Sequence, residues 1–576
     1  NLQVGQLTLP NGASITNACD SVARLLSTVL KSSAQATINS HSYQLNQANQ
    51  RTQQVFTAGD YLNYSYDSIG QLKTAFGKEA GGTINRLHEQ LGYTYDAAGN
   101  LNFRTNNALV QTFNVNSLNE LTTISRSGTF TVAGTTTSAA TNVTVNGQTA
   151  VRYSDATFAK DGFTLTDGNN TFTAIARDSY GRQDTNVVTS WLPASASYGY
   201  DLNGNLLSDG KRGFAYDDEN QLIRVTVTNT WKAEFAYDGK MRRRIRTECT
   251  WNGTTWVTNQ IVLYVYDRNL VIQERDANNL PLVTYTRGKD LSGSLEGAGG
   301  IGGLLARTDH STLNPQLSTA FYHCDGNGNI TALISSNQTL VAKYLYDPYG
   351  NILSQSGPLA DANLYRFSSK EFHVNSGLVY YLYRFYEPTL QRWVNMDPLD
   401  WPEPHGWSRN TFRAFVNSPL MYFDPFGKMA VDTKRPPGGL STIICQGGKA
   451  VPRVSDKDKS GNSQCVVDCM TAHEQSHADE ANAAGVCKEA TDGMGIRLTP
   501  QERVASEIKA YKAMKACLEK AKKTATPTDA YGNPPPVDCK CRASNVDAFL
   551  DSTNKRLNAW ETADPENTST WPQDDM

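Results

Sequence analysis

YLYDPYGNI, Tyr344 to Ile352, is the stretch whose reading decides the fold. Tyr-Leu-Tyr alternates as a half-buried strand does. Asp347 then offers a side chain that bonds its own backbone, and Gly350 and Asn351 tolerate a positive φ. Ile352 opens a second strand, so the unit codes a β-hairpin. The same reading fits YSYDSIGQL from Tyr64, YTYDAAGNL from Tyr93, YGYDLNGNL from Tyr198 and FAYDDENQL from Phe214. A hairpin cannot bury its aromatic face alone, so repeated hairpins stack side by side into one long, curling sheet.

These units resemble the YD repeats of the RHS family, and the resemblance runs from about residue 40 to residue 427. In RHS polymorphic toxins the repeats wind into a hollow β-shell that encloses a C-terminal toxic domain, and the resemblance implies that arrangement here. RFYEPTLQRWVNMDPL, Arg384 to Leu399, is similar to the RHS-associated core motif RYYDPxxGRFxxxDP, with Glu387 where Asp is usual and Gln391 in place of Gly. PLMYFDPFGK, Pro419 to Lys428, matches the PxxxxDPxG signature that closes the core.

In such proteins the shell is often an aspartyl autoprotease that cuts just after this signature. The resemblance points to Asp397 and Asp424 as the carboxylates, with Asp400 a further one nearby. One carboxylate, ionised, would activate water while the other, protonated, polarises the carbonyl. The expected bond lies after Gly427 or Lys428. The sequence departs from the family where Lys428 replaces the frequent Leu, and where DWPEPHGWSRN is long and lacks GLNLY. The competing reading takes both Asp-Pro pairs as plain turns.

Composition breaks near residue 428. Of 27 tyrosines only Tyr511 and Tyr531 lie beyond it, whereas seven of the ten cysteines do. At 576 residues the chain is too long for one ordinary core. From Gly128 to Leu192 the YD pattern yields to Thr/Val alternation, as in VTVNG with Val143 and Val145 on one face, which suggests an inserted Ig-like sandwich. The expected order is a first shell segment over 1–127, the insert over 128–192, a second shell segment over 193–383, the core and autocleavage region over 384–428, and a small, mainly α domain over 429–576. The fold class is mainly β.

The C-terminal domain carries HEQSH, and His473 and His477 are its only histidines. Four residues apart, they share a helix face with Glu474 between them, the H-E-x-x-H arrangement of zinc peptidases. A capping box, Thr499 to Glu502, opens a second helix, on which Glu507, Tyr511, Met514 and Leu518 form one stripe. A glutamate on an apolar stripe needs a partner or a metal, which makes Glu507 the candidate third ligand, with Glu502 competing. The plan resembles that of gluzincins. His473, His477 and Glu507 would hold Zn²⁺, Glu474 would take a proton from metal-bound water, and Tyr511 would stabilise the oxyanion, a packing tyrosine being the plainer reading.

Cys445, Cys465, Cys469, Cys487, Cys517, Cys539 and Cys541 suggest about three disulfides and an extracellular or periplasmic place of action. A thiolate zinc site formed by Cys465, Cys469, Cys539 and Cys541 is the alternative.

Three functions compete. The first is an RHS toxin, secreted or delivered to a target cell, with a metallopeptidase cargo that acts on peptide or protein substrates. An upstream shell segment or subunit, a secretion apparatus and an immunity protein would be its partners. The second is a surface adhesion or structural protein with an inert tail. The third, a nuclease, is weakest, because residues 429–576 hold 19 Lys/Arg against 21 Asp/Glu and lack a basic surface for nucleic acid. No apolar run approaches the 18 residues of a membrane-spanning helix. The start at Asn1 without an apolar leader suggests a processed product or a fragment.

Overall fold

A computed structural model describes residues 5–136, 139–311, 318–398, 410–428, 431–432, 442–446 and 449–453, and residues 475, 512, 515, 516 and 553. The chain divides into two compact units, Asn1–Trp401 with Ser408–Pro437, and Pro402–Trp407 with Gly438–Met576.

In the first unit, the described strands from Gln6–Thr8 to Leu121–Ser127 pair each with the next in sequence, all antiparallel. Ser195–Ser197 completes this twelve-stranded sheet by pairing with Leu121–Ser127 across the inserted segment. A fourteen-stranded sheet follows from Gly199–Tyr200 to Ile352–Ser356, again with every strand beside its sequence neighbour. The first sheet starts at Gln6, well ahead of residue 40, where the recognisable repeats begin.

The YD units explain why. Asp347 Oδ1 accepts the backbone N–H of Tyr349 and of Asn351, both at 2.9 Å, and Asp347 Oδ2 accepts Asn351 Nδ2 at 2.7 Å. Gly350 N–H closes the turn on the Asp347 carbonyl at 3.1 Å. The same fork recurs at Asp67, Asp96, Asp201 and Asp217. Each of these five units also has a register shift between the residue two before the Asp and the Tyr just before it. Such bulges raise the local twist, so the curl is written into every repeat. The Tyr before the Asp then reaches back: Tyr66, Tyr95 and Tyr346 donate to the carbonyls of Arg51, Leu72 and Ile330 at 2.8, 2.9 and 2.7 Å.

The inserted segment folds as two small sheets. One holds Phe130–Thr135, Val151–Arg152 and Thr157–Phe163; the other holds Asn142–Val145, Gln148–Thr149, Asn169–Arg177 and Gln183–Trp191. Between them lie Val143, Val145, Ala150, Phe158, Phe163 and Phe172, a sandwich core. Val143 and Val145 sit on its buried side, as their alternation predicts.

Beyond residue 356 four short strands, Glu371–His373, Leu378–Tyr380, Phe385–Glu387 and Arg392–Trp393, form a further sheet. Tyr381, Tyr386, Trp393 and Phe415 are buried there with ring centroids 5.0 to 6.2 Å apart. Phe415, Val416 and Asn417 all have φ near +50°, a costly run for residues with side chains.

In the second unit Thr442–Gln446 pairs with Lys449–Arg453, and Gln475, Lys512, Lys515, Ala516 and Thr553 are helical. The remainder of the two expected helices lies outside the described residues. Among the described residues no helix is long and apolar enough to cross a membrane.

Candidate self-cleavage site

Arg384 organises the end of the first unit. It precedes Phe385–Glu387, is 3% exposed, and its guanidinium carbon lies 4.2 Å from the Trp393 ring centre. Stacking and burial fix the plane of the guanidinium and leave its five N–H groups to find acceptors. Nη1 donates to the Thr411 carbonyl at 2.9 Å. Nη2 meets both motif carboxylates, Asp397 Oδ2 at 2.6 Å and Asp424 Oδ2 at 3.4 Å. Nε donates to the Gly427 carbonyl at 2.5 Å. Burial pulls the guanidinium below its ordinary pKa, while Asp397 and Asp424 pull it back up.

Asp424 works on the same peptide from its other side. Its Oδ1 accepts the N–H of Phe426, Gly427 and Lys428 at 3.1, 2.7 and 3.0 Å. The Gly427–Lys428 peptide is therefore held at both ends, its carbonyl by Arg384 and its N–H by Asp424. Gly427 has φ +75°, and a Cβ there would lie 3.1 Å from the Tyr381 Cβ and 3.2 Å from the Arg384 nitrogen, so any side chain would strain the turn. The Lys428 ammonium sits 3.5 Å over the Tyr383 ring, and that contact suits a lysine where Leu is usual.

A lysine also grips the turn. Lys370 Nζ, buried, donates to the Pro425 carbonyl at 2.6 Å and to the Gly299 carbonyl at 2.7 Å. Burial, reinforced by Arg287, pushes its amine down to about 7, against the pull of Asp424 and Asp290. Gly299 (φ +62°) comes so close that a Cβ would lie 1.8 Å from the Pro425 oxygen.

The fold thus brings together Asp397, Asp424, Gly427 and Lys428. It adds Arg384 and Lys370, which the motif reading passed over. The carboxylates meet on one guanidinium nitrogen, so the group aimed at the carbonyl is a cation and not a protonated carboxyl. Asp400 lies outside the described residues. So do His473, Glu474, His477, Glu507 and Tyr511, and with them Cys465, Cys469, Cys487, Cys517, Cys539 and Cys541. Cys445 is in the strand Thr442–Gln446. Among the described residues Cys19, Cys249 and Cys324 are free thiols, and no set of three or more His, Cys, Asp or Glu side chains is arranged to hold a metal.

Similarity to known proteins is partial. No family model matches the chain. The tRNA3(Ser)-specific nuclease WapA of Bacillus spizizenii is 30% identical over 236 residues, which is 40% of this chain and 9% of that protein. The tRNA nuclease WapA of Bacillus subtilis has the same identity and coverage. The toxin subunit YenC1 of Yersinia entomophaga is 28% identical over 117 residues, 20% of this chain and 11% of that one. The chain therefore spans about a tenth of the length of these relatives. Among solved structures, a crystal structure of TcdB2-TccC3 covers 73% of this chain and 21% of its own, with 17% identity and a TM-score of 0.35.

Proposed function

We propose that this chain belongs to a secreted RHS-type toxin that cuts its own backbone at Gly427–Lys428, separating the repeat sheets from residues 428–576. The supporting observation is the double hold on that peptide, with Arg384 Nε on its carbonyl and Asp424 Oδ1 on its N–H. Charge that develops on the Gly427 oxygen would be met by a fixed cation in a buried site. Asp397, anchored on Arg384 Nη2, would take the proton of the attacking water, and that same proton would pass by way of Asp424, held on the same Nη2, to the departing Lys428 amine. Hydrolysis adds the water oxygen to the Gly427 carbonyl carbon, breaks the C–N bond, and leaves a carboxylate on Gly427 and an amine on Lys428.

The released part we read as a zinc metallopeptidase, on the H-E-x-x-H spacing of His473, Glu474 and His477 with Glu507 beyond. When bound, zinc would supply an activated water, and Glu474 would hold its proton. The names of the Bacillus relatives favour a second reading, a nuclease cargo. Intact mass spectrometry tests the first claim: fragments 1–427 and 428–576 support it, and an uncut chain in which Asp424→Asn changes nothing overturns it. Incubating the released fragment with unfolded protein and with total tRNA separates the two cargo readings.

A further inference from the structure

Asp60 lacks the partner that its burial demands. It is 2% exposed, in the turn between the strands Arg51–Phe56 and Tyr61–Tyr66. Its Oδ1 has no hydrogen-bond partner, and its Oδ2 stands 3.8 Å from Arg86 Nη1. Arg86 is already engaged with Glu79 at 2.6 Å, Glu89 at 2.7 Å and Asp155 at 2.8 Å. Asp155 comes from the sandwich insert, the other carboxylates from the twelve-stranded sheet. Lys343, on Leu340–Tyr346 of the fourteen-stranded sheet, is the other cation acting on Asp60. Four carboxylates thus face two cations. His88 stands 3.2 Å from Glu89, and His41 is pushed down to about 3 by burial, Lys343 and Arg51, so it adds no charge near neutrality. The carboxylates of this cluster outnumber the arginine and lysine that act on them.

Asp60 also borders a cavity of about 30 Å³, whose wall includes Asp155, Thr57, Thr135, Ser354 and Lys343. The cavity has room for one water-sized occupant. Thr135 Oγ1, from the insert, and Ser354 Oγ, from the fourteen-stranded sheet, lie 2.6 Å apart on that wall. We propose that this cavity binds one hard divalent cation, of the Ca²⁺ class, which ties the insert to both sheets. The carboxylates of Asp60 and Asp155 would be the charged ligands, with hydroxyls of Thr57, Thr135 and Ser354 and water completing the shell.

All these ligands are oxygens, which select hard cations, and Ca²⁺ tolerates an irregular shell that Mg²⁺ does not. Burial, with Asp155 and Glu89 nearby, pushes the Asp60 carboxyl up to about 6, so a proton competes with the cation under acid conditions.

Hydrogen–deuterium exchange on the full chain tests the proposal, first with EDTA and then with CaCl2, MgCl2 or KCl at pH 7.5. Ca²⁺ is expected to slow exchange at least tenfold in Thr157–Phe163 and Asn85–Tyr95. Asp60→Asn, close in shape, is expected to abolish the response, and Ser354→Ala to weaken it. At pH 5 the Ca²⁺ effect is expected to vanish. Exchange indifferent to Ca²⁺ in the wild type, or a response that survives Asp60→Asn, overturns the site and leaves water as the occupant. These strands report apart from any zinc bound beyond residue 428.

Discussion

Arg384 Nε lies 2.5 Å from the Gly427 carbonyl oxygen, across 43 residues of sequence. On the proposed self-cleavage, it is the contact that would meet charge developing on that oxygen. Replacing Arg384 by Met removes the cation and the anchor of Asp397 together. Self-cleavage at Gly427–Lys428 is expected to slow by about 10²–10³-fold, the usual loss when one donor to a developing oxyanion is removed. Time-resolved intact mass measures it, and Arg384→Lys, which keeps charge but not the fork, is expected to fall between the two.

Asp424→Asn tests the other end of the same peptide. The amide can still accept the N–H of Gly427 and Lys428, so the turn survives, but it cannot deliver a proton to the leaving amine. The expected result is an uncut chain whose urea midpoint is close to that of Arg384→Met or better.

Gly299→Ala should act through the Pro425 oxygen, which lies 1.8 Å from the new Cβ. The turn must shift or the Gly-rich loop must, and residue 299 is left at φ +62° with a side chain. Both a lower melting temperature and slower cleavage are expected, and a fully active, equally stable variant counts against the clamp.

The amine of Lys370 is depressed to about 7 in the folded state, so the unfolded chain binds the extra proton between about pH 7 and the ordinary lysine value. Stability must then rise with pH across that window. The rise is expected to flatten in Lys370→Met, which also removes the bonds to Pro425 and Gly299. Urea titrations of both proteins at pH 6.5 and pH 9 read the difference directly.

His473→Ala is expected to abolish stoichiometric zinc in the full chain, whereas Glu474→Gln keeps the metal and loses peptide hydrolysis. Atomic emission on the dialysed proteins with a casein digest covers both. Zinc retained at full stoichiometry in His473→Ala would exclude HEQSH as the site.

Much of the fold was legible from local signals. The Asp fork of a YD unit needs residues only four apart, and Tyr64, Tyr93, Tyr198, Phe214 and Tyr344 each announced a hairpin. Asp20, Asp178, Asp276 and Asp325 close turns with the same fork yet lack the aromatic-x-Tyr prefix, so no local signal marks them as repeats. Arg384 and Lys370 were hidden for a different reason. Each acts on a carbonyl far along the chain, at Gly427, Pro425 or Gly299, and no local periodicity encodes such a contact. The positive φ run at Phe415, Val416 and Asn417 was equally silent, because tertiary packing around Trp393 and Tyr386 imposes it.

The neighbour-to-neighbour pairing of the two large sheets bears on how the chain acquires its structure. Every ladder except that of Leu121–Ser127 with Ser195–Ser197, which spans the insert, joins segments adjacent in sequence, so it can close over a short loop before the rest exists, and loop closure costs little. Only links such as Asn39 to His323, 2.9 Å apart and 284 residues distant, must wait for the second sheet. Assembly can then proceed in chain order, as the polypeptide emerges from a ribosome or a translocation pore, with the seam between the sheets closing last.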